Sequence, residues 1–186
     1  MASFLVLYST GEGQTSKVTD SVVDALAARG HAVEAVDVES SSNITVDVFD
    51  AVVVGSSVHV GKHTDSVRDF VGDNIEVLDG LPTAFFQLSL SSAADDEERR
   101  AEAAGYVEDF LEETGWTPDR VALFGGALRY SKYGFLKRLT MKRIAKDATG
   151  DTDASRDYEY TDWDEVEDFT NDFAAFVEGR IGADPV

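Results

Sequence analysis

The sequence predicts an α/β protein built on an open, doubly wound parallel sheet of five strands with helices on both faces. Three observations predict it. Short apolar runs alternate with amphipathic segments along the chain. The first run, FLVLY at 4–8, is near-continuously apolar, as a strand buried on both faces must be. The stretch YSTGEGQTSK, Tyr8 to Lys17, then joins that strand to a helix through small and hydroxyl-bearing residues.

The elements follow in order. A helix is expected from about Thr15 to Arg29, with Val18, Val22, Val23 and Leu26 at helical spacing and Gly30 closing it. HAVEAVDV at 31–38 alternates like a strand near the sheet edge, and FDAVVVGSS at 49–57 is a third strand ending in small residues. TDSVRDFVGDN at 64–74 reads as a helix, and LPTAFFQLSL at 81–90 as the fourth strand. Ser92 with Asp95 is expected to cap a long helix reaching Thr114. RVALFGGAL at 120–128 supplies the fifth strand. The last helix, 161–179, is expected to start at a Thr161 cap and to turn Trp163, Val166, Phe169, Phe173 and Phe176 inward. Residues 129–157 break this rhythm and form a basic, apolar insert after or within the fifth strand.

A chain of 186 residues with 43% hydrophobic and 10% aromatic content is expected to be one globular domain, residues 1–186. Its 36 acidic residues against 16 basic ones give a net charge of -20, a balance like that of halophilic proteins, whose repelling carboxylates keep them in solution where salt screens the repulsion. This acidity is a solubility feature, and no nucleic-acid partner is expected of it. The absence of cysteine excludes disulfides, thiolate-ligated iron–sulfur centres and a cysteine nucleophile, so any redox chemistry needs another cofactor. The N-terminus has neither a basic start nor a signal-type apolar region, and no apolar run approaches a membrane-spanning length, so a cytoplasmic protein, at most peripheral on the inner face of the cell membrane, is expected. Asn43 in NIT matches a glycosylation acceptor, which without a secretion signal is a chance match.

The loop after the first strand sits where open parallel sheets place ligands, and a helix N-terminus there offers free N–H groups to an anion. It lacks the Gly-Lys-Ser/Thr of a Walker loop and the third glycine of a dinucleotide fingerprint. The bland alternative is a tight strand-to-helix turn without a ligand. Val6, Leu7, Tyr8, Thr10, Gly13 and Thr15 resemble the flavodoxin pattern for the loop that wraps the FMN phosphate, with Thr19 standing where many flavodoxins have Ala. The resemblance implies FMN, a sheet order of 2-1-3-4-5, and a phosphate held by backbone amides and short hydroxyls of Ser9, Thr10, Gly11, Glu12, Gly13, Gln14 and Thr15. The Glu12 side chain is then expected to face water. Ser56, Ser57, Val58, His59 and Gly61 after the third strand, and Leu88, Ser89, Leu90 and Ser91 after the fourth, are expected to meet the flavin ring. His59 either tunes the flavin by its charge or is a solvated loop residue. His59 and His63 are four apart, but Gly61 lies between them and no third ligand is evident, so no metal site is expected.

RYSKYGFLKRLTMKRIAK, 129–146, holds Arg129, Lys132, Lys137, Arg138, Lys142, Arg143 and Lys146, seven of the 16 basic residues, and no acid. Phe135, Leu136, Leu139, Met141 and Ile144 interleave with them, although Arg143 falls among the apolar wheel positions and Met141 among the basic ones. Such a segment suits a membrane surface, an anionic substrate, or salt bridges to the acidic body. Its GALRY, the basic helix, and the following GDTD and YTDW are similar to the insert of the flavodoxin-like, menaquinone-dependent protoporphyrinogen oxidases of haem biosynthesis, a likeness that runs over about residues 3–178. It implies oxidation of a porphyrinogen with a quinone as acceptor, peripheral membrane contact through 129–146, and Arg129, Tyr130 and His59 as candidate catalytic residues. A one-electron flavodoxin-type carrier and a nicotinamide-fed flavin quinone reductase are the alternatives.

Overall fold

In the computed structural model the described residues are 1–41 and 44–183, with backbone alone at 135, 136 and 183. Asn43 and the side chains of Phe135 and Leu136 lie outside the described residues. In chain order the elements are β1 (Ser3–Ser9), α1 (Gln14–Ala28), β2 (Ala32–Asp37), β3 (Ala51–His59), β4 (Lys62–His63), α2 (Asp65–Asp73), α3 (Ile75–Leu78), β5 (Thr83–Ser89), α4 (Glu97–Thr114), β6 (Arg120–Gly125), β7 (Ala127–Leu128), α5 (Phe135–Ala148), β8 (Tyr158–Glu159) and α6 (Trp163–Ala183). The five long strands pair in parallel in the order β2-β1-β3-β5-β6, with β4 folded back antiparallel on the end of β3. Counting only those five, this is the predicted order 2-1-3-4-5.

Period-two alternation explains the layers. Phe4, Val6 and Val53 face the side covered by Val18, Val22 and Leu26 of α1 and Val166 and Phe173 of α6. Leu5, Leu7, Val52 and Val54 face Val67 and Phe70 of α2, Phe110 of α4, and Trp116. Each central strand is thus apolar at successive positions because both faces are buried, and each such Val or Leu side chain contributes about 1.5–3 kcal/mol. The edge strand β2 keeps Glu34 exposed, which guards an otherwise open ladder.

Four sequence expectations are corrected here. The cap of α4 is Asp96, whose carboxylate accepts from the Glu98 amide at 2.8 Å, because residues 91–93 form a separate 3-10 turn that keeps Ser92 against Ser89. Asp162 takes the first-turn amides of α6 at 3.0 and 3.3 Å, while Thr161 is buried and donates to the Gly125 carbonyl at 2.7 Å. Trp163, expected on the inner face, is 37% exposed. The fifth strand also breaks in two at Gly126. β6 stays in the sheet, whereas β7 leaves it to pair antiparallel with β8, so the insert follows β6 and closes on itself. Gly125 is required at this exit, since a Cβ there would stand 2.3 Å from the Tyr160 carbonyl oxygen.

His63 of β4 is enclosed by Phe85 and Phe110, and burial lowers its pKa from 6.5 to about 4, against a smaller upward pull from Gln87, with Arg68 adding to the lowering. Between pH 6.5 and 4 the unfolded chain therefore holds a proton that the folded chain does not, and stability falls as pH falls through that window. Chemical denaturation of wild type and His63→Phe across pH 4–7 is expected to show a difference growing to about 3 kcal/mol at the acid end. Parallel curves would show that His63 stays solvated.

Candidate functional site: a cavity at the carboxyl ends of the strands

α1 starts abruptly because Gly13, at φ 93, turns the chain into it, and neither the cap nor the first turn carries a side chain that satisfies its amides. The N–H groups of Gln14, Thr15 and Ser16 have no partner within the helix, and no acid stands in the first turn, so the helix end presents unspent donors and a positive dipole. The Thr10 hydroxyl accepts from the Gly13 amide at 3.0 Å and fixes the loop. Gly11 is packed under the His59 ring, where a Cβ would come within 2.9 Å of Nε2. Lys132 of the insert reaches over the loop, donating to the Glu12 carbonyl at 2.8 Å. A phosphate fits this cradle of amides, short hydroxyls and one overhanging ammonium.

From the loop a cavity of about 570 Å³ runs across the strand ends. Of the residues expected to hold a cofactor, Glu12, Gln14, Thr15, Ser57, Val58, His59, Gly61, Leu88, Ser89, Leu90 and Ser91 line it. Ser9, Thr10, Gly11, Gly13 and Ser56 do not; Ser9 is buried with its hydroxyl on Glu39 at 3.0 Å, and Ser56 is buried within β3. His59 lies at the cavity, 3.0 Å from the Ser57 hydroxyl. The turn between β3 and β4 consists of Val60 and Gly61, both at positive φ (51 and 76), as a two-residue hairpin turn of this hand demands. For a β-branched residue this costs about 1–3 kcal/mol, and the Val60 side chain is 98% exposed at the cavity edge.

The roof is α5. Lys137, Thr140, Met141, Ile144 and Ala148 form one helical stripe over the cavity, and Arg99, Glu102 and Tyr106 of α4 also line it. The sequence offered the α5 segment as a cover for an anionic substrate without picking out its cavity-facing residues, and the α4 stripe was not identified; spacings of three and four were the available signal. Behind the roof the insert has its own small core of Leu128, Tyr130, Tyr133 and Ala145.

Glu12 does not face water, contrary to expectation. Its carboxylate is turned onto the insert, 2.7 Å from Lys137 Nζ and accepting from the Tyr133 hydroxyl at 2.6 Å. Burial first, and then this bond to Glu12, raise the Tyr133 pKa above the usual phenol range. Arg129 is drawn away from the cavity: it donates to Gln14 and pairs with Glu159 at 3.0 Å, and Glu159 also meets Lys17 at 2.9 Å. Burial works to raise the Glu159 pKa, but Lys17 and Arg129 outweigh it and hold the carboxyl below its ordinary value. The Gln14 amide donates onward to Thr161 at 2.9 Å, so α1 is stitched to the insert's exit. Tyr130 is fully buried, its hydroxyl on the Asp151 carbonyl at 3.1 Å, which makes it a core residue of the insert rather than a cavity residue. The GDTD and YTDW motifs serve the same closure. Gly150 caps α5 through Ala145, Asp151 accepts from Tyr160 at 2.6 Å, and Asp162 caps α6.

An anion seat on a helix N-terminus, opening into a cavity at the strand ends of a sheet of this order, defines a protein of the flavodoxin class, whose cofactor is FMN. A model of the Flavodoxin domain family matches residues 5–155. Protoporphyrinogen IX dehydrogenase (quinone) of Escherichia coli K12 is 32% identical over 94% of this chain and 96% of its own. The protein of the same name from Leishmania major is 31% identical over 92% of this chain and 74% of its own. A flavodoxin from Streptococcus pneumonia TIGR4 superposes with a TM-score of 0.59 at 15% identity, covering 96% of this chain and 99% of that one, a likeness of fold. The chain belongs to the flavodoxin family, with the protoporphyrinogen IX dehydrogenases as sequence relatives, and is a flavodoxin-like oxidoreductase.

Replacing Glu12 by Ala removes the two side-chain contacts, to Tyr133 and Lys137, that hold the insert to the loop, and leaves the Lys132 bond to the backbone carbonyl. Thermal or chemical unfolding is expected to show a loss of about 1–3 kcal/mol, with faster amide exchange confined to 129–157. Unchanged exchange there would mean that the insert is held by its own core alone.

Proposed function

We propose that this protein oxidises protoporphyrinogen to protoporphyrin with a membrane quinone, menaquinone, as electron acceptor, a step of haem biosynthesis. The observation that carries the reading is the roof: an insert tied to the phosphate loop through Glu12 covers the cavity. A carrier that exchanges single electrons with docked proteins works best with an open cofactor edge, and a covered cavity suits a bulky organic reductant instead. Relatives aligned over 94% and 92% of this chain bear the name of that activity.

Bound FMN supplies the electron-transfer chemistry, and the protein supplies its placement and surroundings. The first-turn amides of α1 with Thr10 and Thr15 are the groups to hold the phosphate, and the 57–61 and 88–91 loops are those to meet the ring. Val58, Leu88, Met141 and Ile144 give the cavity apolar walls that exclude water. Arg129 positions the insert through Gln14 and Glu159, and His59 is the titratable group of the β3 loop at the cavity.

The outer face of α5 supports a place at the membrane surface. Leu139 is 56% exposed beside Lys142, Arg143 and Lys146, which form no ion pair among the described residues. An exposed leucine framed by cations suits an anionic bilayer, where the quinone resides. Among the described residues no helix is long and apolar enough to cross a membrane. The acidic surface favours the alternative of a one-electron carrier docking on a basic partner.

Stopped-flow absorbance under anaerobic conditions and high salt separates the two. FMN-loaded protein mixed with protoporphyrinogen is expected to lose its yellow absorbance and to regain it on addition of a menaquinone analogue. Absorbance that never falls would sink the oxidase reading and favour the carrier. In vesicle sedimentation, wild type is expected to pellet with anionic vesicles and Lys142→Glu/Lys146→Glu to remain in the supernatant, with about 1 kcal/mol lost for each cation removed. Equal partitioning of both proteins would leave that face without a membrane role.

A further inference from the structure

Three side chains of α4 line the cavity beside the β3 and β5 loops. Arg99, Glu102 and Tyr106, at positions i, i+3 and i+7, share the face of the helix that turns toward the cavity. Glu102 accepts from Arg99 Nη1 at 3.0 Å and from the Ser91 hydroxyl at 3.2 Å, which fixes the arginine to the β5 loop. Tyr106 packs beneath the β3 turn, its ring 3.4 Å from where a Cβ on Gly61 would stand. The cluster therefore joins α4 to both loops that flank the ring position. The nearby Tyr106 hydroxyl first, then Arg99 and Ser91, hold the Glu102 carboxyl below its ordinary pKa against the opposing effect of burial, so it stays an anion and keeps its hold on Arg99.

Two permanent cations line the cavity, Arg99 and Lys137. Lys137 is committed to Glu12, at the phosphate end. Arg99 gives one nitrogen to Glu102 and has further N–H donors in the same rigid plane, with its side chain 35% exposed. Asp147, across on α5, adds attraction at longer range.

We propose that Arg99, oriented by Glu102, anchors a carboxylate of the substrate at the ring end of the cavity, and so selects porphyrinogens with free propionates. This rests on the oxidase reading. It also moves substrate recognition away from Arg129, whose guanidinium is engaged by Gln14 and Glu159.

The test uses the FMN-loaded full chain with protoporphyrinogen IX and with its dimethyl ester. Wild type is expected to favour the free acid. Arg99→Gln is expected to raise KM for the acid about tenfold or more, the weight of a charge-assisted hydrogen bond, with kcat and FMN affinity nearly unchanged and the ester unaffected. Arg99→Lys is expected to recover part of the loss. Binding of the product, protoporphyrin IX, followed by fluorescence, is expected to weaken in the same proportion without turnover. If Arg99→Gln and wild type discriminate equally between acid and ester, the inference fails while the oxidase reading stands. If wild type oxidises neither compound, the oxidase reading itself fails.

Discussion

The arrangement of the site depends on two carboxylates, Glu12 and Glu159, meeting the cations of an otherwise segregated basic segment. Seven of the 16 basic residues lie within 129–146, and a body with 36 acids attracts them everywhere. Non-specific attraction fixes no geometry. Glu12 supplies geometry because it stands on a loop whose backbone is already fixed by Thr10 and Gly13, and because Tyr133 and Lys137 approach its two oxygens from one side. Glu159 does the same from the insert's return strand, receiving Lys17 of α1 and Arg129 together. Arg129 is the more buried of these partners, with its side chain 14% exposed, so its pairing is the one least screened by solvent and salt. Phosphate loop and roof are thereby parts of a single charge arrangement, and a change at one is felt at the other.

The same arrangement explains why the fold could be read from the sequence more easily than the site. β1, β3 and β5 announce themselves because a strand buried on both faces has no choice of residue type, and Gly30 and Gly115 mark helix ends through positive φ. The turn between β1 and α1 was legible because the small residues that permit it, Gly13 above all, are visible as letters. The direction of Glu12 was not legible, since it depends on residues 121 and 125 positions further on. Ser92 and Thr161 looked like caps because a hydroxyl before a helix usually is one. Asp96 and Asp162, four residues and one residue on, took the amides, while the Ser92 hydroxyl met Ser89 of the same turn and that of Thr161 met the Gly125 carbonyl. The stripes on α4 and α5 were hidden in another way. Arg99, Glu102 and Tyr106 look like an ordinary solvated helix face until the β3 and β5 loops are placed beside them.

The α5 wheel is not cleanly two-faced because the helix has two different neighbours. Met141 and Ile144 face the cavity with Lys137 and Thr140, while Leu139 looks outward with Lys142, Arg143 and Lys146. The cavity side thus carries polar residues beside apolar ones, and the exposed side carries a leucine among cations, so neither face is of one kind. Treated as a surface helix with one core face, the same sequence looks imperfect.

The narrow exit at Gly125 has a consequence for how the chain assembles. β7 and β8 form only two paired positions, far too few to persist as an isolated ribbon, and the carbonyl of Tyr160 can come to rest against Gly125 only after β6 has taken its place beside β5. The Gln14 and Glu12 contacts likewise require α1 to be in position. Closure of the insert therefore depends on surfaces that β6 and α1 supply. The chamber is in this sense dependent on the sheet, at whose end its roof comes to rest. The flavodoxin-like scaffold thus carries the insert that covers the cavity.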